Sequence, residues 1–290
     1  MSKTGQLARA ALTIRTVQSE GNVDEAVYVS NADWRVPLTE RGRAQATHAG
    51  KQLAALLEPG ARVHTYVSPY ARTRDTLRRI LQELPEDSVV RLREDPRISE
   101  QQFGNFQDVQ QVTTAKKERS TFGRFYYRFP NGESGLDVYM RVSSFVATLF
   151  RDHSFSGRRE GPPAPGLHPP QSKDWQRDNI VIVTHGLTLR LLLMRYYQWS
   201  VRSFERTHNP GNAELIVLER QPNQGSQGGD MGSEPASATA PVPGHFSIVQ
   251  DAGILRDLPA TQWRRDDKHG LQMRLTEPPP GAGPWPLNSA

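Results

Sequence analysis

The stretch that most constrains this chain is Ile180-Val181-Ile182-Val183-Thr184-His185-Gly186-Leu187-Thr188-Leu189-Arg190. Four consecutive apolar β-branched residues predict a strand buried on both faces, as in the interior of a parallel sheet. His-Gly follows, and residues 187 to 197 then read as a helix. A strand that ends in a polar residue and a glycine at a helix start is where open α/β sheets place ligand chemistry. The glycine permits a tight turn and close backbone approach. The first N–H groups of the helix and its dipole favour an anion. His185 is then expected at that anion, with Gly186 beside it. A buried structural histidine is the plainer alternative for the same pattern.

The remaining elements follow from periodicity and punctuation. Residues 11–14 form a short strand, 19–22 a turn and 23–38 a loop. Thr39 caps a helix running to Leu57, which Pro59-Gly60 stops. Val63 to Val67 is a second strand. After Ser68-Pro69-Tyr70-Ala71-Arg72-Thr73 comes a helix with Leu77, Ile80, Leu81 and Leu84 on one face. Val89 to Leu92 is a third strand, and residues 94–107 are polar and irregular. Residues 111–130 are basic and aromatic and read as a packed insertion in preference to a base-stacking surface. Asn131-Gly132-Glu133-Ser134 opens a helix whose buried stripe is Val138, Val142, Phe145 and Leu149. Residues 158–173, rich in proline and glycine, form an exposed loop. Glu214 to Leu218 is the last strand, and from Gln221 onward the composition predicts a largely disordered tail. Strands alternating with helices predict an α/β fold, a three-layer α/β/α arrangement around a mainly parallel sheet. The domain is expected over residues 1–220, with the tail over 221–290.

Composition excludes several classes of function. Of 290 residues, 36 are Lys or Arg and 31 Asp or Glu, so the net charge is +5, and the arginines are scattered with no block suited to a nucleic-acid arm. A mildly basic balance suits a small anionic substrate such as a phosphate ester. With no cysteine there is no disulfide framework, thiol nucleophile or cysteine metal site. No apolar run approaches a membrane span. Residues 1–17 carry Lys3, Arg9 and Arg15 and no acid, a faint likeness to a transit peptide, but their better use is the first strand.

Three strands are each followed at once by a cation: Arg15 after Ile14, Arg72 after Ser-Pro-Tyr, and His185 after Val183-Thr184. In a parallel sheet all three meet at the carboxyl edge, where two guanidinium forks and an imidazole suit a phosphate. Glu100, in the loop after the third strand, reaches the same edge as a candidate general acid. Glu133 is the alternative acid, with helix initiation as its plainer role. His48 and His64 read as surface or packing histidines, and His208 as a loop residue.

These residues sit in text that resembles the histidine phosphatase superfamily, also called phosphoglycerate mutase-like, and within it the plant and fungal branch of broad-range acid phosphatases. The matching stretches are Gln18-Ser-Glu-Gly-Asn22, Leu38-Thr-Glu-Arg-Gly42, Val67-Ser-Pro-Tyr-Ala-Arg-Thr73, Phe103-Gly-Asn-Phe-Gln-Asp108, Gly123-Arg-Phe-Tyr-Tyr-Arg-Phe-Pro-Asn-Gly-Glu-Ser134 and Thr184-His-Gly-Leu-Thr-Leu-Arg190. The resemblance implies a phosphomonoesterase on a small phosphorylated metabolite. Its histidine nucleophile forms a phosphohistidine that water hydrolyses; two arginines and a second histidine hold the phosphoryl oxygens, and a carboxylic acid protonates the leaving oxygen. Arg15 and Arg72 match the arginines, His185 the second histidine, Glu100 the proton donor and Asn22 a residue lining the phosphate site. The resemblance implies no cofactor, no metal, no nucleic-acid or membrane partner and a cytoplasmic location. It leaves the oligomeric state open.

One position departs from the family. It reads Arg-His-Gly where this chain reads Arg15-Thr16-Val17. Imidazole, with a pKa of about 6.5, offers a neutral nitrogen at neutral pH, and phosphohistidine is labile. A threonine hydroxyl is a weak nucleophile without a base, and its phosphate ester is stable. Three readings follow. The chain is a pseudophosphatase that keeps a phosphate pocket; or its first residues are misassigned, as a misplaced exon boundary would make them; or another residue, such as His185, replaces the nucleophile. A mutase-type activity is a further alternative.

Overall fold

The computed structural model describes residues 10–24, 26–104, 109–153, 178–220, 246–257, 264–266 and 270–272. The chain runs β1 (Ala10–Arg15), α1 (Val27–Ser30), α2 (Glu40–Leu56), β2 (Arg62–Val67), α3 (Ala71–Leu81), β3 (Val89–Glu94), α4 (Val109–Phe122), α5 (Gly135–His153), β4 (Asp178–Thr184), α6 (Gly186–Tyr197), α7 (Val201–Glu205), β5 (Leu215–Arg220) and β6 (Phe246–Gln250), with a small hairpin of β7 (Arg264–Asp266) and β8 (Gly270–Gln272). Six strands form one sheet in the order β3-β2-β4-β1-β5-β6. β3, β2, β4 and β1 are mutually parallel; β5 and β6 return antiparallel at one edge.

β4 lies at the centre, as its unbroken apolar run requires. Its alternate residues serve two cores. Ile180 and Ile182 face Tyr66, Ile216 and Leu218 under α5 and α6. Val181 and Val183 face Ile14, Val63, Val67, Leu215 and Val217 under α2 and α3. The stripe Val138, Val142, Phe145 and Leu149 is buried as its spacing demands, and so are Leu77 and Ile80 of α3. This is the three-layer, mainly parallel α/β arrangement that the alternation of elements implies.

Thr39 caps α2 by accepting from the Gly42 N–H at 3.0 Å. Gly42 is there for a steric reason: a Cβ would meet the Gln18 carbonyl oxygen at 2.1 Å. The start of α2 thus lies directly on the segment that leaves β1.

Three sequence expectations are revised. The loop 23–38 contains α1 and a 3-10 turn at Asp33–Arg35. The insertion 111–130 is only partly packed: α4 fills much of it, Phe125 and Phe129 are buried, and Phe122 and Tyr126 stand 72% and 64% exposed. The domain does not end at residue 220. β6 extends the sheet beside β5, burying Phe246 and Ile248, and Ile254 beyond it is fully buried. The Phe246 N–H donates to Tyr196 Oη at 2.9 Å, and Tyr197 Oη donates to its carbonyl at 3.0 Å. A five-residue strand after a long Gly-, Ser- and Pro-rich run is too short to alter the composition of that segment. The loop 158–173 and residues 221–245, like most of the remaining tail, lie outside the described residues.

Phe246 tests the revised boundary. Phe246→Ala is expected to cost about 3–5 kcal/mol in urea unfolding, as a buried core phenylalanine does. A loss below about 1 kcal/mol would place β6 outside the folding unit.

Candidate functional site

Parallel strands β1, β2 and β4 end at one level, and the candidate residues gather there. The Thr16 N–H donates to the Thr184 carbonyl at 2.8 Å, and the Ser68 N–H donates to the Val183 carbonyl at 3.1 Å. The residues just past β1, β2 and β4 therefore emerge side by side. Arg15 closes β1, His185 caps α6, and Arg72 lies in the first turn of α3. Glu100 follows the 3-10 turn Pro96–Ile98 that leaves β3.

His185 is fully buried, with Nε2 2.8 Å from Ser68 Oγ and Nδ1 3.7 Å from Glu100 Oε2. That Nδ1 has no hydrogen-bond partner, so it is a buried polar atom that a ligand oxygen would satisfy. Burial first, then Arg72, Arg141 and Arg15, hold the imidazole well below the usual histidine range, so it is neutral at pH 7. Glu100 is 18% exposed. Burial pushes its carboxyl above the usual carboxylate range, against the opposing pull of Arg72 and Arg15. For Arg72 burial opposes the charge, but Asp33 and Glu100 outweigh it and hold the guanidinium firmly protonated. Arg15, Arg72, Glu100 and His185 thus form one electrostatic group, as the sequence pattern implies.

The other candidates are placed differently. Thr16 is buried with its hydroxyl 3.4 Å from Thr76 Oγ1 on α3. Val17 is fully buried in the core beneath α2. The Asn22 side chain is spent on its own turn, its Oδ1 accepting from the Ser19 N–H at 3.0 Å and Ser19 Oγ at 3.1 Å. Gly186 makes room for Asn209: a Cβ there would meet the Asn209 side chain at 2.8 Å. Asn209 precedes Pro210, whose carbonyl accepts from Arg15 Nη1 at 2.5 Å. His208 is a loop residue paired with Asp257 and Arg256, His48 is exposed, and His64 packs by Asp178 and His153.

Glu133 is engaged elsewhere. Its two oxygens accept from Arg141 Nε and Nη2, each at 3.0 Å. Arg141 in turn donates to the carbonyls of Arg97, Ser99 and Glu100 at 2.7, 2.9 and 2.9 Å. Thr184 and Thr188 add bonds to the Ile98 and Ser99 carbonyls at 2.7 and 2.8 Å. A fork on α5, oriented by Glu133, therefore holds the loop that presents Glu100 to His185. Asp33 takes Arg72 Nη1 on its carbonyl at 2.6 Å and on Oδ1 at 2.8 Å. Sequence reasoning missed Asp33, Ser68 and Arg141, because partners so distant in sequence leave no periodic trace. The one usable signal is that Ser68 belongs to the same strand-end turn as Arg72. Among the described residues no group of three or more His, Asp or Glu is arranged to hold a metal ion, and no helix is long and apolar enough to cross a membrane.

The raised Glu100 carboxyl has a consequence for stability. Its folded pKa exceeds the unfolded value of about 4.3, so the folded state resists its ionisation, and stability is lost as pH rises through the folded value. Glu100→Gln is therefore expected to melt at a higher temperature than the parent chain at pH 7, with the gap closing toward pH 4. A variant that melts lower at pH 7 would mean that the Arg72 and Arg15 attraction outweighs burial.

The chain is similar to known proteins in sequence and in fold. The model of the histidine phosphatase superfamily (branch 1) matches residues 11–156 and 171–227. The phosphoglycerate mutase-like protein AT74 of Arabidopsis thaliana is 44% identical over 229 residues, 77% of this chain and 67% of that protein. The broad-range acid phosphatase DET1 of Saccharomyces cerevisiae is 43% identical over 129 residues, 44% of this chain and 34% of DET1. Among solved structures, mycobacterial glucosyl-3-phosphoglycerate phosphatase in complex with VO3 aligns with a TM-score of 0.53 at 23% identity, over 73% of this chain and 92% of that one. Bacillus stearothermophilus YhfR aligns with a TM-score of 0.55 at 18% identity, over 85% of this chain and 98% of that one. At such identities the structural likeness bears on the fold alone. The match of the family model across most of the sheet and both covering layers, with the AT74 identity, makes this chain a member of the histidine phosphatase superfamily, branch 1.

Proposed function

We propose that this chain holds the phosphoryl group of a small phosphorylated metabolite on Arg15, Arg72 and His185, in a phosphomonoesterase-type site whose proton donor is Glu100, and that position 16 silences turnover. One observation carries the proposal. Arg15, Arg72, Glu100 and His185 converge on one sheet edge, whereas the only hydroxyl at position 16 lies against Thr76, 3.4 Å away. The broad-range acid phosphatase named among the relatives supports the class of substrate.

The residues divide the chemistry as follows. The guanidinium of Arg72, anchored by Asp33 through Nη1, keeps its remaining N–H groups for phosphoryl oxygens. His185 Nδ1 is a buried atom in want of a partner. A carboxyl raised by burial retains its proton nearer neutral pH and can hand it to a leaving oxygen. The missing part is a nucleophile in line behind the phosphorus. The Thr16 hydroxyl lies against that of Thr76, which is no general base, and a phosphothreonine would not turn over. Gly186, at the start of α6, and Asn22, whose Oδ1 is engaged by Ser19, complete the proposed phosphate-binding set.

Hydrolysis of p-nitrophenyl phosphate across pH 4 to 8 tests it. The chain as written should stay at the buffer rate. Thr16→His, and Thr16→His/Val17→Gly, should raise the rate by about 10³ or more and form an acid-labile phosphoenzyme. The single variant is included because Val17 is fully buried and its loss leaves a void. Turnover by the parent chain at an ordinary enzymatic rate, or silence of both variants with circular dichroism unchanged, would overturn the proposal.

A further inference from the structure

A cleft of about 370 Å³ opens beside the cationic group, lined by Trp34, Pro69, Tyr70, Arg74 and Gln102. We infer that this cleft is the leaving-group subsite, and that it takes a planar aromatic or heteroaromatic alcohol esterified to the phosphate. The inference rests on the phosphate-binding reading above and names its substrate class.

Tyr70 is the wall shared by the two regions. Its ring centroid is 4.9 Å from that of His185, and the Arg72 guanidinium carbon sits 4.7 Å over it. Its hydroxyl accepts from Gln102 Nε2 at 2.8 Å, which fixes the ring and draws Gln102 into the same wall. A phosphoryl group held by Arg72 and His185 therefore has its ester oxygen within a ring's width of the cleft. Trp34, in the 3-10 turn Asp33–Arg35, also lines the cleft, and that turn is tied to Arg72 through both Asp33 acceptors. The Trp34 side chain is 48% exposed, with the Arg35 guanidinium 4.6 Å from its ring centroid. Large indoles usually find cover, and here the exposed part faces a cleft next to the reacting centre.

Charge decides against a second anionic group. The cation of the cleft, Arg74, has Nε and Nη2 each 2.6 Å from a Glu94 oxygen, so its charge is already matched. What remains is the exposed Trp34 ring, a proline, an amide and the small part of Tyr70 that reaches the surface, 4% of that residue. A volume at the low end of ligand sites suits one or two fused rings. Stacking on an aromatic side chain contributes about 1–3 kcal/mol per ring, or roughly 5- to 150-fold in affinity.

Non-hydrolysable phosphonates test this without asking for turnover, so Thr16 does not intrude. Titration calorimetry of the full chain would compare phenylphosphonate with methylphosphonate. Phenylphosphonate should bind at least about tenfold tighter. Trp34→Ala should bring the ratio to within about twofold and leave methylphosphonate affinity unchanged; Trp34→Phe should keep most of the preference. Arg72→Ala should weaken both ligands together. If methylphosphonate binds and phenylphosphonate is no tighter, or if Trp34→Ala weakens both equally, the subsite fails and the phosphate site stands. If neither ligand binds the folded parent chain, the phosphate reading itself falls, and the subsite with it.

Discussion

Everything at the site depends on the level at which three parallel strands stop. The Thr184 carbonyl receives the Thr16 N–H, and the Val183 carbonyl receives the Ser68 N–H. These two ladder bonds continue the register of β1 on β4 and of β2 on β4 by one residue beyond the sheet. A slip of one residue in either pair would turn Ile14 or Val67 out of its core and carry Arg15 or Ser68 to the wrong face. Burial of β4 on both faces makes such slips costly. The hydrophobic core thereby sets the position of the cations, and the same side chains that drive folding align the site.

The site itself works against stability. It holds two arginines, a neutral imidazole with an unpartnered nitrogen, and a carboxyl raised by burial. Such a group persists only where the surrounding structure holds it. Arg141 supplies much of that restraint, binding three carbonyls of the 97–100 loop while Glu133 fixes its fork. By sequence Glu133 is the alternative acid to Glu100, with helix initiation as its plainer role. Its pairing with Arg141 makes it the support of the loop and leaves Glu100 as the carboxyl that meets His185.

Thr16 and Val17 are both buried. Val17 joins the core beneath α2, and the Thr16 hydroxyl has a neighbour on α3. The pocket and the altered position are therefore compatible in one fold.

Much of the fold was legible in the sequence because it rests on local, repeating patterns. The apolar run of β4, the helical stripe of α5, the Thr39 cap and the strand-end cations all follow from spacing of two or 3.6 residues and from capping chemistry. Arg15, Arg72, Glu100 and His185 were candidates from position alone: Arg15 closes β1, His185 follows β4, and Arg72 and Glu100 lie in the segments after β2 and β3. Tertiary structure alone decided which charges meet. Asp33 on Arg72, Ser68 on His185, Arg141 on the Glu100 loop and Asn209 against Gly186 join residues from tens of positions to more than a hundred apart, and no periodicity records such pairs. Tertiary structure also rescued β6: five residues that follow a Gly- and Ser-rich run carry too weak a pattern to announce a strand, and the edge of β5 gives them a place.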